Sequence, residues 1–385
     1  IAQINTLVES GRRVTLLSIP AELPDACLDA RATVVMPSAP HPVASRWSIG
    51  KALLRWMGPR VYDRARSVWH GSGRGPEAAW TRFFLDHAPA GPFDAIVCHD
   101  LNTLPAGAQL RLRWPSAKLV YDSHELFPCQ TDDKRIEAYW TEIEAGNISC
   151  ADLIITVNQS IAGELTRRYG VREPEVIYNS DGIGAGGAAP DRAEFLRHFD
   201  AADGFKVLYQ GNIDFRRNLE SLVLAFEELG SEARLFMLGG GPYEPELKKI
   251  CTQRGLTNVH FGRSVSQKQL VGYTSHADLG MIPYVAGGSL NTLYCTPNKL
   301  FEFIEAGVPI CASDLPELRN IVRGQGIGNV YEMSTPRSIA RAILDCKERL
   351  SRGEFSRENR DSARETFSWR GQAQKLLAMF DRLGV

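Results

Sequence analysis

The chain has 385 residues, room for two domains at about 100–200 residues each. Hydrophobic residues are 44% and charged residues 23%, which excludes wholesale disorder. Lys and Arg total 44 against 45 Asp and Glu, a net charge of −1, which argues against a nucleic-acid partner.

No apolar run reaches about 18 residues, so no transmembrane helix is expected. Eight cysteines stand at 27, 98, 129, 150, 251, 295, 311 and 346 with no CxxC and no Cys/His cluster. That spacing reads as reduced core thiols of a cytoplasmic protein, not as a disulfide framework or structural zinc.

In chain order, Gln3–Ser10 reads as a helix ended by Gly11, and Val14–Ser18 as a strand. An α/β unit usually opens on a strand, Ile1 is not Met, and no signal peptide is visible. The chain is therefore expected to begin one element late, without its first strand. Residues 44–74 carry Arg46, Lys51, Arg55, Arg60, Arg64, Arg66 and Arg74 interleaved with Trp47, Trp56 and Trp69. A basic, Trp-bearing amphipathic stretch fits an anionic membrane surface. Two core-packed helices with snorkelling arginines fit it equally.

Short β-branched runs follow at Thr33–Met36, Asp94–Cys98, Lys118–Tyr121, Asp152–Thr156 and Glu175–Tyr178, separated by helical stretches. The alternation predicts parallel sheets with helices on both faces. Ligands of such sheets bind at the carboxyl ends of the strands. Two runs end in His99-Asp100 and in Asp122-Ser123-His124-Glu125, which places both histidines at that face. Asp122 and Glu125 read equally as structural hydrogen-bond acceptors and as substrate-binding groups.

The glycine-rich stretch Gly182–Pro190 marks an interdomain linker, taken as 182–204, after a first domain of 1–181. A second series has strands at Lys206–Gln210, Arg234–Leu238, Val259–Phe261, Leu279–Pro283 and Val308–Ala312 and fills 205–368. The last helix, about Trp369–Leu383 within 369–385, caps that domain or returns to the first; periodicity does not choose.

Three loops of the second series have the chemistry of an anion site. After Gln210 come Gly211-Asn212 and then Arg216-Arg217 just before a helix start, where the dipole favours anions. The bland alternative is a pair of solvated arginines. Leu238 runs into Gly239-Gly240-Gly241-Pro242, which is not GxGxxG but allows a ligand to touch backbone. The segment Thr296-Pro297-Asn298-Lys299-Leu300-Phe301-Glu302 opens a helix with a lysine near its positive end. A phosphate there would resolve that conflict. The alternative is an ordinary i,i+3 surface ion pair between Lys299 and Glu302.

Gly211–Phe226, Gly239–Pro242, Val259–Arg263 and Pro297–Pro309 occur together in this order. The set resembles the retaining glycosyltransferases of the GT-B fold, family 4 type, in a bacterial subgroup with a Pro-Asn-Lys-Leu-Phe-Glu segment. The resemblance implies an α/β protein of two Rossmann-like domains facing a cleft, with the acceptor on the first and a nucleotide sugar on the second. It implies that Glu302 binds the donor ribose and Arg217 the pyrophosphate, with Arg216 or Lys299 supplying a further phosphate contact. Asn212 stands where an arginine is usual, and Tyr294 where a glutamate approaches the sugar. Gly211, Gly241, Asn291 and Asn298 border the donor, and Arg263 lies in the loop beside the base. His124 matches the active-site histidine, with His99, Asp100 and Glu125 on the acceptor side. The absent first strand would have carried a glycine-bearing loop beside the donor phosphates.

No Asp-x-Asp site is visible, so neither a metal nor another cofactor is expected. The expected activity is transfer from a nucleotide diphosphate sugar to a glycan or lipid-linked acceptor, with retention, in cell-surface polysaccharide or glycolipid synthesis. The expected site of action is the cytoplasm, at the inner membrane face where residues 44–74 bind it. A non-catalytic nucleotide-sugar or glycan-binding protein is the alternative, motivated by Asn212 and Tyr294. A nucleotide-sugar epimerase ranks below it.

Overall fold

A computed structural model describes residues 1–19, 28–37, 75–180 and 189–385. The basic stretch 44–74 lies outside the described residues, as do residues 181–188 of the glycine-rich segment. The chain divides into two compact units, Ile1–Tyr178 with Ala373–Val385, and Asn179–Gln372.

In the first unit, β1 (Thr15–Leu17) and β2 (Thr33–Val35) pair in parallel. A second parallel sheet runs β3 (Ala95–His99), β4 (Lys118–Ser123), β5 (Leu153–Thr156), β6 (Glu175–Val176). Leu119, Val120 and Tyr121 of β4 are fully buried, the unbroken apolar run of a strand covered on both faces. The helix Gln159–Tyr169 starts where the Asn158 side chain accepts from the Ile161 amide and ends on left-handed Gly170. Of the last helix, Trp369–Leu383, the residues from Ala373 onward belong to this unit. Arg12 binds the Asp381 carboxylate and the Val385 carbonyl, and Arg382 pairs with Glu175.

The second unit is one six-stranded parallel sheet: β7 (Lys206–Gln210), β8 (Arg234–Leu238), β9 (Val259–Gly262), β10 (Leu279–Ile282), β11 (Ile310–Ser313) and β12 (Gly328–Tyr331). Its spatial order is β9-β8-β7-β10-β11-β12, the doubly wound order that reverses direction between β7 and β10. A core of Val207, Leu222, Phe226, Met237, Ile339 and Ile343 is buried against the sheet.

Two readings of the sequence are corrected here. The expected linker 182–204 contains a helix, Arg192–His198, capped by the Asp191 side chain on the Glu194 amide. Phe195 of that helix is completely buried, with its ring on Phe199 and Phe236. The cap and the Phe195/Phe199 spacing were there to be read, but the neighbouring glycines dominated the composition. Residues 189–204 accordingly belong to the second unit. Strand β12 was not foreseen, because an edge strand buries only alternate residues. Gly11 ends the first helix as expected: it is left-handed just after the Ser10 cap, its amide donates to the Val8 carbonyl, and the Arg12 amide donates to the Leu7 carbonyl.

Candidate active site

The direction change between β7 and β10 is where an open α/β sheet binds its ligand. The loops after these strands, with the helix Asn298–Glu305, carry most of the second unit's candidate residues; Gly241 and Arg263 follow β8 and β9. Gly211 follows β7 with φ +106 and its amide donates to the Leu238 carbonyl. The Ile213 amide in turn donates to the Gly240 carbonyl. This close seating of two loops needs glycine. A Cβ on Gly241 would lie 2.3 Å from the Ile213 oxygen and 2.6 Å from Oδ1 of Asn212.

Lys299 is the odd residue of this site. It sits in the first turn of the helix Asn298–Glu305, whose apolar face buries Leu300, Phe301, Phe303 and Ile304. It is 6% exposed, and Nζ has no hydrogen-bond partner among the described residues. The ammonium lies 3.5 Å from the Tyr209 ring centroid and 5.3 Å from that of Tyr284. A Cβ on Gly211 would be 3.8 Å from Nζ. Burial, reinforced by the charge of Arg217, pushes its pKa well below the ordinary lysine range. The expected alternative of a surface ion pair with Glu302 is not what forms. Glu302 instead accepts from Gln210 Nε2. Gln210 is fully buried at the end of β7, and its oxygen accepts from Thr274 at 2.8 Å.

Arg217 is half-buried, with its guanidinium 4.6 Å from the Tyr284 ring centroid. Cys295 is close enough to feel both cations, yet burial pushes its thiol up to about 12. Arg216 turns away from that pair. Its guanidinium grips both oxygens of Asp214 at 2.9 and 3.1 Å, and its side chain is mostly exposed. Of the two arginines, Arg217 is therefore the one grouped with Lys299.

In the first unit, β3 and β4 pair His99 directly with Asp122. His124 follows Asp122 by two residues. His99 Nδ1 and His124 Nε2 each lie 3.1 Å from Oδ2 of Asp122, and 3.2 Å from one another. Asp100, in a left-handed conformation, accepts from the His124 amide at 3.1 Å. Burial alone would raise the Asp122 carboxyl, but its hydrogen bonds to His124 and His99 hold it well below the usual carboxylate range. Burial would likewise lower His124, but the hydrogen bond and charge of Asp122 outweigh it and raise it to about 9. Burial raises Asp100.

Two family models match the chain: "Glycosyltransferase Family 4" over residues 10–180 and "Glycosyl transferases group 1" over 204–348. The chain is a glycosyltransferase of the GT-B fold. Solved structures agree on the fold. Sucrose-phosphate synthase from Thermosynechococcus elongatus superposes with a TM-score of 0.72 at 16% identity, covering 99% of this chain and 91% of its own. Anabaena HepE in complex with UDP gives 0.68 at 15% identity, covering 99% and 94%. A glycosyltransferase from Rickettsia africae gives 0.67 at 14% identity, covering 99% and 93%. No curated protein matches the sequence.

The remaining candidate residues of the transferase are dispersed along the same loops. Asn291 and Tyr294 are half-buried on the short helix Leu290–Leu293 and its cap. Asn298 accepts from Asn179 at 3.3 Å. The Arg263 carbonyl accepts from His198 Nε2 at 3.0 Å, while its side chain is exposed. The Glu125 carbonyl accepts from Ser123. Three residues that the sequence reading passed over belong to these sites: Tyr209 and Tyr284, which wall the cations, and Gln210, which holds Glu302; Asp122, read as a structural acceptor or a substrate-binding group, joins the histidines. A polar residue closing an apolar strand was the signal available for Gln210.

Proposed function

We propose that the transferase takes its sugar from a nucleoside diphosphate sugar and passes it, with retention, to a glycan or lipid-linked acceptor in cell-surface polysaccharide or glycolipid synthesis. The observation that carries this reading is the buried, unpartnered ammonium of Lys299 beside Gly211 at the sheet's direction change. A buried charge without a counter-ion is costly unless a ligand supplies one. The donor diphosphate has the required charge, and HepE is a structural neighbour solved with UDP and glucose.

Substitution on one face of the sugar suits the residues present. The acceptor oxygen attacks the anomeric carbon on the side from which the diphosphate leaves, and the departing phosphate oxygen takes the acceptor proton. Arg217 and Lys299 would stabilise the charge that grows on that leaving group. A double displacement needs a carboxylate free to attack. Glu302 is held by Gln210 and Asp214 by Arg216. His124, with Asp122 behind it, is assigned to orient the acceptor or the sugar.

Glu302→Ala is expected to weaken UDP or GDP binding about 10- to 150-fold, the loss of one charge-assisted hydrogen bond to the ribose. Calorimetry checks this, and unchanged affinity in a folded variant removes the ribose role. Thermal-shift screening with UDP- and GDP-sugars tests the donor class, since a ligand of the folded state raises its melting temperature. No shift with any of them, and no turnover, overturns the proposal.

Membrane association through residues 44–74 belongs to the same proposal and rests on their composition. No helix among the described residues is long and apolar enough to cross a membrane. The chain should float with anionic liposomes at low salt and be released by high salt. Absence of flotation at low salt removes the membrane from the proposal.

A further inference from the structure

The trio His99, Asp122 and His124 is crowded in a way that hydrogen bonding alone does not explain. Three nitrogens surround Oδ2 of Asp122: His99 Nδ1 and His124 Nε2 at 3.1 Å each, and Gln3 Nε2 at 2.8 Å. A carboxylate oxygen offers about two lone-pair sites, so three nitrogens crowd it. The two imidazole nitrogens also face each other at 3.2 Å. Among the described residues, no other group of three His, Cys, Asp or Glu side chains could hold an ion in this way.

We propose that His99 Nδ1, Asp122 Oδ2 and His124 Nε2 form a binding site for one divalent first-row transition ion, of which zinc is the natural probe. Around an ion with bonds of about 2.0–2.2 Å, neighbouring ligand atoms in tetrahedral or octahedral geometry lie about 2.8–3.6 Å apart. The three atoms here are already 3.1–3.2 Å apart. Two imidazoles and one carboxylate are the donor set of open zinc and iron sites. Magnesium and calcium favour oxygen alone and fit poorly.

The frame is built in advance. The register of β3 on β4 sets His99 beside Asp122, Thr103 donates to the His99 carbonyl at 2.8 Å, and Asp100 holds the His124 amide. The carboxylate is 2% exposed, while the His99 and His124 side chains are 42% and 30% exposed, so an ion can enter from the imidazole side. Turning the Gln3 amide by half a rotation removes the competing donor and offers its oxygen to the same ion. An ion seated here competes with any substrate hydroxyl that these histidines would bind. The inference does not rest on the donor reading, because every group in it lies in the first unit.

The test uses the full chain, stripped with a chelator and titrated with zinc over a series of pH values, because a ligand must shed its proton to bind the metal. One ion per chain is expected. His99→Ala, at a half-exposed position, should weaken binding by more than about 100-fold, beyond what loss of an outer-shell partner costs. Asp122→Asn should do the same, and His87→Ala, remote from the trio, should change nothing. Cobalt supplies an independent signal, a visible spectrum in the parent protein that is lost in His99→Ala. Zinc affinity unchanged in both His99→Ala and Asp122→Asn, or no stoichiometric binding by the parent, overturns the proposal.

Discussion

Lys299→Met is expected to raise the melting temperature of the ligand-free transferase while removing most of its affinity for a nucleoside diphosphate. The ammonium is buried against Tyr209 and Tyr284 with no hydrogen-bond partner. Methionine keeps most of the length of the side chain and removes the charge. Replacing unfavourable buried charge with packed apolar atoms is worth about 1–4 kcal/mol. For a unit of this size that is about 2–4 °C per kcal/mol. Binding should fall about 10- to 150-fold for each lost charge-assisted phosphate contact.

The pH dependence has a definite sign. The folded lysine loses its proton more readily than the unfolded one, mainly through burial. Its cost to stability is full below the folded pKa and is relieved as pH rises toward the ordinary lysine value. Between those limits the parent should gain stability with pH, and Lys299→Met should lack that gain. Thermal melts across alkaline pH, with and without UDP, measure both effects. A lower melting temperature together with undiminished UDP affinity would refute the assignment.

Arg217→Ala should leave the fold nearly intact and lower turnover about 10²–10³-fold, the usual cost of one group that stabilises developing negative charge. Its guanidinium makes a cation–π contact with Tyr284, worth about 0.5–2 kcal/mol. The expected loss falls in kcat more than in KM, because the diphosphate charge grows as the sugar departs. An unaltered kcat rejects the role. Arg217 also depresses the Lys299 pKa, so the two substitutions share one electrostatic interaction. Their effects should not add. A double variant that costs the plain sum of the two would show that the cations act separately.

Much of this arrangement was legible beforehand. The strands Lys206–Gln210 and Arg234–Leu238 stand where their apolar runs placed them. Buried parallel strands leave a local signal in four or five consecutive residues, and so do strand-end glycines. The helix Arg192–His198 was hidden by the glycines before it. Arg216 and Arg217 were indistinguishable as a dipeptide. Only the fold showed that one grips Asp214 and the other faces Tyr284.

By itself, the sequence determined the alternation of strand and helix, the two-part organisation and the loops that hold the polar chemistry. These follow from short-range periodicity and from backbone freedom at glycine. The tertiary structure decided the order β9-β8-β7-β10-β11-β12, and with it that Gly211 and Lys299 meet. It also decided that Lys299 is buried with no hydrogen-bond partner among the described residues rather than paired on the surface. In the first unit, it turned two separate strand-end histidines and an aspartate into one cluster through the register of β3 on β4. Strand order, register and burial arise from contacts between residues tens of positions apart. No local pattern encodes the distance between them.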